Sequence, residues 1–321
     1  LQEPAPVNVA VVAGGRTPER DVSLRGGHRV LGALLDLGHD ALLIDPGEVS
    51  LAESLLERAT ELCYLTLHGK EGEDGTAQRL LDLLGLTYTG TAAFDCEVAF
   101  DKLLAKDALE RAGVRTPAWA PIEGTALRDL GAGAAMATAI DRVGLPCVVK
   151  PSRSGSALGV STVDRGSDLP AAVMAALSFS GAAIVERAVS GTEIAVGVIG
   201  TPGEALPAVE IVPKGGTYDY AARYTAGATE YFAPARLGDE TAAICHETAM
   251  AAWSRLRLRD VARVDMIVDA DGLPWVLEVN VSPGMTETSL LPMGAKAVGM
   301  DLNELCETVL QSAVARGGPR A

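Results

Sequence analysis

The chain is short of lysine, cysteine and aromatic residues, and it has no long apolar run. Only six of its 27 basic residues are lysine, at positions 70, 102, 106, 150, 214 and 296. Arginine is therefore the default cation, and a lysine inside an apolar stretch carries extra weight. Cysteine occurs five times, at 63, 96, 147, 245 and 306, with no CxxC pair. An odd, scattered set argues for reduced thiols and against a disulfide framework or a zinc site. No apolar run reaches the roughly 18 residues of a membrane span. The first six residues carry neither a basic nor an apolar segment, so no signal peptide is expected and the cytoplasm is the expected location. Positive charge is scarce as well. With 27 Lys and Arg against 42 Asp and Glu, the net charge is −15. That sign speaks against a nucleic-acid or membrane partner over any broad surface, and leaves room for a local basic pocket.

What is present is a foldable chain. Its 321 residues are 48% hydrophobic and 21% charged, which excludes intrinsic disorder and fits about two domains. A strand is expected over 7–13, ending in Gly14-Gly15, then a helix over 21–37 and a strand over 41–44. A strand over 62–67 and a helix over 74–84, with Asp74 as N-cap, follow. Strands alternating with helices imply an open parallel sheet in the first hundred residues. A helix over 101–112 and a turn-rich break at 113–117 come next, and the pattern then changes. Strands over 147–150 and 160–163 flank a Gly/Ser loop, with further strands over 183–186 and 193–199. Helices are expected over 240–256 and 302–315. This second part is α+β in character. Boundaries are expected near 101 and, less sharply, near 190, giving units 1–101, 102–190 and 191–321.

The most informative stretch is 262–280. Asp271-Gly272 is a two-residue type I′ turn signal between two strand-like runs. With that turn, Asp265 lies opposite Glu278 and Arg263 opposite Asn280. Alternation then divides the hairpin. One face carries Val264, Met266, Val268, Leu273, Trp275, Leu277 and Val279, and is core. The other brings Arg263, Asp265, Glu278 and Asn280 together. Two carboxylates and an amide offer oxygen-only ligands, which suit Mg²⁺ completed by water and substrate phosphates. The alternative is a solvated sheet face with ordinary ion pairs.

Lys150 ends the apolar run Cys147-Val148-Val149. The loop after it, Pro151-Ser152-Arg153-Ser154-Gly155-Ser156-Ala157-Leu158-Gly159, can turn backbone N–H groups onto an anion. It is not a Walker A loop, because GK[ST] is missing and a strand follows. A glycine-rich strand–loop–strand closing over phosphates is the nearer analogue. Gly14-Gly15 lacks the full GxGxxG, so a tight turn is the better reading there and a dinucleotide-dependent dehydrogenase is poorly supported.

The motifs occur in a fixed order. Gly14-Gly15-Arg16-Thr17-Pro18-Glu19-Arg20-Asp21-Val22-Ser23-Leu24 comes first, then His68-Gly69-Lys70-Glu71-Gly72-Glu73-Asp74-Gly75 and Tyr88-Thr89-Gly90. Asp101-Lys102, the 150–159 loop and Tyr218-Asp219-Tyr220-Ala221-Ala222-Arg223-Tyr224 follow. Last are Arg263-Val264-Asp265, Glu278-Val279-Asn280-Val281-Ser282-Pro283-Gly284-Met285-Thr286 and Ser289-Leu290. In this order the chain resembles the D-alanine–D-alanine ligase family of the ATP-grasp superfamily over about residues 7–310. The resemblance implies an ATP-grasp fold behind an N-terminal Rossmann-like parallel sheet. It implies ATP and two Mg²⁺ ions (Mn²⁺ as a substitute), D-alanine as substrate, a role in peptidoglycan precursor synthesis, and a homodimer.

The resemblance also implies residue roles. Lys102 and Lys150 would contact the ATP phosphates, with Ser156 in the covering loop and Arg223 in the place of a usual lysine. Glu186 and the backbone of Arg187, Ala188 and Val189 would face adenine, and Glu193 the ribose. Asp265, Glu278 and Asn280 would hold the metal. Glu19 would bind the ammonium of the first D-alanine, with Ser23 and His68 nearby. Ser289 and Leu290 would bind the carboxylate of the second, at a helix beginning near Thr286. Arg263 and the Gly284 N–H would stabilise the tetrahedral oxyanion, and closure of the Tyr224 segment would exclude water. Taken singly, Glu19 reads as a helix-start carboxylate and His68 as a loop-closing residue. Four positions depart from the family pattern, namely Ala157, Arg223, Val281 and Thr288. They bear on second-substrate preference and rate more than on reaction class. The rival readings are the same chemistry on other amino acids, and a non-catalytic nucleotide-binding relative.

Overall fold

The computed structural model describes residues 6–215 and 227–318. Three sheets follow one another along the chain. The first contains β1 (Asn8–Val12), β2 (Asp40–Ile44), β3 (Leu62–Leu65) and β4 (Thr87–Tyr88), all parallel, in the order β2-β1-β3-β4. Val9 to Val12 are fully buried on both faces, as a parallel strand covered by helices requires. The helix Arg20–Asp36 covers one side, close to the expected span. The next expected helix starts later, at Thr76. Its N-cap is Gly75, in the left-handed region, while Asp74 accepts the Thr76 N–H from outside the helix at 2.9 Å. Lys70–Glu73 forms a separate short turn of helix before it.

The second sheet is antiparallel and contains β5 (Trp119–Glu123), β6 (Cys147–Pro151), β7 (Ser161–Val163) and β8 (Ala182–Arg187), in the order β5-β8-β6-β7. The helices Ala132–Val143 and Leu169–Leu177 pack on one face of it. Along β6, Cys147 and Val149 are buried in that core. Strand alternation then turns Val148 and Lys150 to the opposite face.

The third sheet holds β9 (Thr192–Gly200), β10 (Glu204–Ala205), β11 (Val209–Pro213), β12 (Thr229–Phe232), β13 (Asp260–Val268) and β14 (Pro274–Asn280). Its order is β12-β11-β9-β13-β14, with β10 on β9. The β13–β14 hairpin departs from the expected turn. Asp269 N–H donates to Leu273 O at 3.0 Å, and Gly272, at φ +77°, donates to Asp269 O at 3.1 Å. The loop is therefore the three residues 270–272, with glycine where the left-handed conformation is needed. Pairing starts one residue out of the expected register, as Val268↔Pro274 and Met266↔Val276. A bulge at Leu277 restores it, so that Asp265 lies opposite Glu278 and Arg263 opposite Asn280. Two irregularities cancel at the polar end. Val276, fully buried, takes the core place expected for Leu277. Trp275 leaves the core face, donates Nε1–H to Asp269 at 2.8 Å and stacks under Arg115.

Packing crosses the sheet boundaries. Asp101 caps the helix Lys102–Arg111 by accepting the Leu103 N–H at 3.0 Å. That helix buries Leu109 with Ile194, Val264 and Met266 of the third sheet. The helix Leu302–Arg316, opened by an Asp301/Glu304 capping box, returns to the first sheet, where Leu305, Val309 and Leu310 meet Val9, Val11 and Leu34. Asp260, fully buried at the start of β13, accepts the Gly90 N–H at 2.9 Å and Arg316 at 2.6 Å.

Candidate active site

The open face of the second sheet and the bulged end of β13–β14 enclose a cleft. Lys150, Glu186, Glu193, Ile267, Leu277 and Asp265 line it. Ile267 faces the cleft by alternation with Asp265, and Leu277 because the bulge turns it out of the core. The apolar floor with a charged end suits a flat ring carrying an anionic tail. Arg187, Ala188 and Val189 border the same cleft. The N–H groups of Arg187 and Ala188 are already given to Ala118 O and Pro146 O. Val189 is thus the remaining N–H donor of that segment among the described residues.

Both lysines singled out from the sequence are at the anionic end. Lys150 pairs with Glu186 at 2.5 Å, deep in the protein. Burial opposes the charge on Lys150, yet Glu186 beside it raises its pKa. Burial likewise opposes ionisation of Glu186, and Lys106 and Lys150 together outweigh it and lower its pKa. Lys102 opens its helix, donates to Ser154 O at 2.8 Å and reaches Glu278 at 3.2 Å.

A second cavity adjoins the first, and Lys102, Ser154 and Glu278 line both. Glu19, His68, Gly284, Ser289 and Leu290 face it from three directions. Glu19 occupies the N-cap of the helix Arg20–Asp36 but makes no capping hydrogen bond, so its carboxylate serves the cavity and not the helix. Burial lowers the His68 pKa to about 4, which leaves the ring neutral near pH 7. Glu73, close by, is raised to about 7, chiefly by burial and further by Glu19 and Glu278. Ser156 and Ala157 adopt φ +53° and +57° in the loop between the cavities. Two adjacent non-glycine residues in the left-handed region are strained, as functional loops often are. The loop closes on itself through Ser154 Oγ–H to Leu158 O at 2.9 Å.

The far wall is the segment after β14. The helix there begins at Leu290, with Ser289 as N-cap, and not near Thr286. Thr286 N–H donates to Ser289 Oγ at 3.0 Å, so the segment folds back before the helix starts. A Cβ at Gly284 would lie 2.7 Å from Ser289 Oγ and would force that hydroxyl to move, so the glycine lets the backbone and Ser289 meet here.

Arg263 and Asp265 make a two-pronged ion pair at 2.6 and 2.8 Å, both residues buried. Asn280 Oδ1 accepts the Ser282 N–H at 2.9 Å. No cluster of three or more His, Cys, Asp or Glu is found among the described residues. Two facing carboxylates and an amide oxygen match a hard divalent cation that draws its other ligands from phosphate and water.

Ser23 is placed differently from expectation. It does not line the cavity. Its fully buried hydroxyl accepts the Gly14 N–H and donates to Thr66 O, both at 2.8 Å. Arg223 and Tyr224 lie outside the described residues. Lys106 and Glu73 were missed in the sequence. Lys106 had a signal, since it is one of six lysines and stands four residues after Lys102, on the same helix face. Glu73 had none beyond its motif.

Residues 108–311 match the family model described as the D-ala D-ala ligase C-terminus. The D-alanine–D-alanine ligase of Bordetella petrii is 42% identical over 310 residues, covering 96% of this chain and 92% of the relative. That of an Anaeromyxobacter species is 41% identical over 305 residues, covering 95% and 96%. The crystal structure of the Bacillus anthracis D-alanine–D-alanine ligase complexed with ATP superposes with a TM-score of 0.81 at 28% identity, over 97% of this chain and 98% of that one. The Enterococcus faecalis VanG D-Ala:D-Ser ligase has the same fold, with a TM-score of 0.84 at 24% identity over 96% and 100%. With paired lysines and paired carboxylates where two cavities meet, and with similarity along nearly its whole length, this chain belongs to the D-alanine–D-alanine ligase family.

Proposed function

We propose that the protein joins two D-alanines into D-alanyl-D-alanine at the expense of ATP, for peptidoglycan precursor synthesis. The observation that carries this reading is the meeting of two cavities at Lys102, Ser154 and Glu278, beside the Arg263–Asp265 pair. The larger cleft takes the nucleotide. Its lysines neutralise the phosphates, Glu193 faces the ribose, and Val148, Ile267 and Leu277 hold the base. The smaller cavity takes the two amino acids, with Glu19 on the ammonium of the first and Ser289 and the Leu290 N–H on the carboxylate of the second.

In this site the first carboxylate attacks the γ-phosphorus, and ADP leaves as the acyl phosphate forms. Lys102 and Lys150 position the triphosphate and offset its charge. Asp265, Glu278 and Asn280 would hold Mg²⁺, which would supply charge neutralisation at the transferring phosphoryl group. The amine of the second D-alanine then attacks the acyl carbon, loses a proton, and phosphate departs. Arg263 and the Gly284 N–H face the carbonyl oxygen as it becomes an oxyanion. Ser156 and Ala157 set the covering loop between the two cavities, where it can lie over the phosphates. The same reading divides the chain near 101 and 190, and places it in the cytoplasm as a homodimer. Among the described residues no helix is long and apolar enough to cross a membrane.

The test is phosphate release from ATP with D-alanine, L-alanine, D-serine and D-lactate, with product masses. Release that requires D-alanine and yields its dipeptide is the expected result. Release only with another acceptor moves the enzyme to a different amino acid. Thr288, which lines the smaller cavity where the family usually has histidine, is the residue to follow in that case.

A further inference from the structure

Lys106 is fully buried, does not line the nucleotide cleft, and makes two contacts. Its ammonium pairs with Glu186 and donates to Thr116 Oγ1, whose own hydroxyl donates to Val276 O at 2.9 Å. Glu186 is therefore shared. One carboxylate oxygen meets Lys106 and the other meets Lys150. Desolvation disfavours the charge on Lys106, and Glu186 only partly compensates, so its pKa is lowered.

Of the three groups in direct contact here, two are cations and one is an anion, while Glu193 and Glu278 act on Lys150 from farther off. Lys106 is tied to Thr116 and cannot swing into the cleft, so the surplus positive charge resides on Lys150. We propose that Lys106 is a positioning residue for ATP: by neutralising Glu186 from behind, it leaves Lys150 with a net charge for the phosphates. Without Lys106, Glu186 and Lys150 close into a neutral pair, and the cleft loses its hold on the triphosphate while its apolar floor for the base is unchanged. The inference rests on the nucleotide reading of this cleft.

The experiment measures equilibrium binding of ATP and of adenosine to the whole enzyme and its variants. Lys106→Met is expected to weaken ATP by about 10- to 100-fold, the range for losing an interaction with a charged group, while adenosine changes by less than about 3-fold. Lys106→Met/Glu186→Gln removes both buried charges, frees Lys150, and recovers most of the preference for ATP over adenosine. Glu186→Gln alone keeps that preference or increases it, and this arm does not depend on the folding of Lys106→Met. Parallel losses for ATP and adenosine in Lys106→Met, no rescue in the double variant, or a lowered ATP preference in Glu186→Gln overturns the proposal. Lys150→Met separates the two levels. It must itself abolish the preference for ATP, and if it does not, the reading of the cleft has failed and not the role of Lys106.

Discussion

Replacing Arg263 with methionine tests the chemistry where it is most exposed to refutation. The residue is 8% exposed and grips Asp265 through two hydrogen bonds of 2.6 and 2.8 Å. Methionine keeps the unbranched apolar stem and removes the guanidinium with its charge. Two effects follow, and they separate. In the free enzyme Asp265, 5% exposed, loses this cation. Breaking a buried pair from one side typically costs about 3–5 kcal/mol of stability. Saturating Mg²⁺ and ATP should recover much of it, because the metal replaces the lost charge on Asp265. Turnover behaves differently. Loss of one oxyanion donor costs roughly 10²–10³ in kcat, and no metal restores it. The assay is steady-state phosphate release with both substrates varied, beside thermal melts with and without Mg²⁺ and ATP. The account expects a KM for ATP within about 3-fold of wild type. A kcat within a few-fold of wild type refutes the oxyanion role. A KM for ATP that rises in step with the loss in kcat shows instead that Arg263 only orients the metal ligand.

Three further outcomes are expected. Glu73 has its pKa raised from 4.5 to about 7 by burial, so the folded state retains a proton that the unfolded chain has lost, and stability falls as pH rises through that window. Glu73→Gln should be more stable than wild type at pH 8, by up to about 3 kcal/mol, with the difference vanishing below pH 4; melts along a pH series check this, and a constant difference refutes it. The variant should also uncover the opposite trend of His68, whose lowered pKa makes stability rise with pH between 4 and 6.5. Ser23→Ala should cost about 1–3 kcal/mol by orphaning the Gly14 N–H and Thr66 O. Its KM for D-alanine should stay near wild type in the surviving folded enzyme, and a raised KM without destabilisation would return Ser23 to the substrate.

The polar end of the β13–β14 hairpin was legible because alternation and pairing leave few choices. Arg263, Asp265, Glu278 and Asn280 fall together in the expected register, and the structure returns to that pairing at the polar end although Trp275 and Leu277 leave the core face. The path to that register was not legible. A three-residue loop and a compensating bulge at Leu277 depend on how Asp269 satisfies its neighbours and on which of Val276 and Leu277 fits beneath Met266. Neither is written in local pattern. Lys150 stood out because a lysine within an apolar strand needs a reason. Lys106 was marked only by the rarity of lysine and its spacing from Lys102, and a helix shows a lysine at that spacing whether its tip meets water or a buried carboxylate. Ser23 sits inside a motif yet spends its hydroxyl on the backbone of the segments after β1 and after β3. The helix start at Leu290 was misplaced by four residues because Thr286 N–H bonds to Ser289 Oγ, a side-chain turn that imitates a cap.

The central claim is that the first D-alanine is activated by phosphoryl transfer to its carboxylate within this site. It is tested most directly with D-alanine carrying ¹⁸O in both carboxylate oxygens, by measuring the isotope in the phosphate released with dipeptide. Attack by the carboxylate on ATP predicts one ¹⁸O atom in every phosphate. Phosphate free of ¹⁸O would contradict the account, because no acyl phosphate would then have formed.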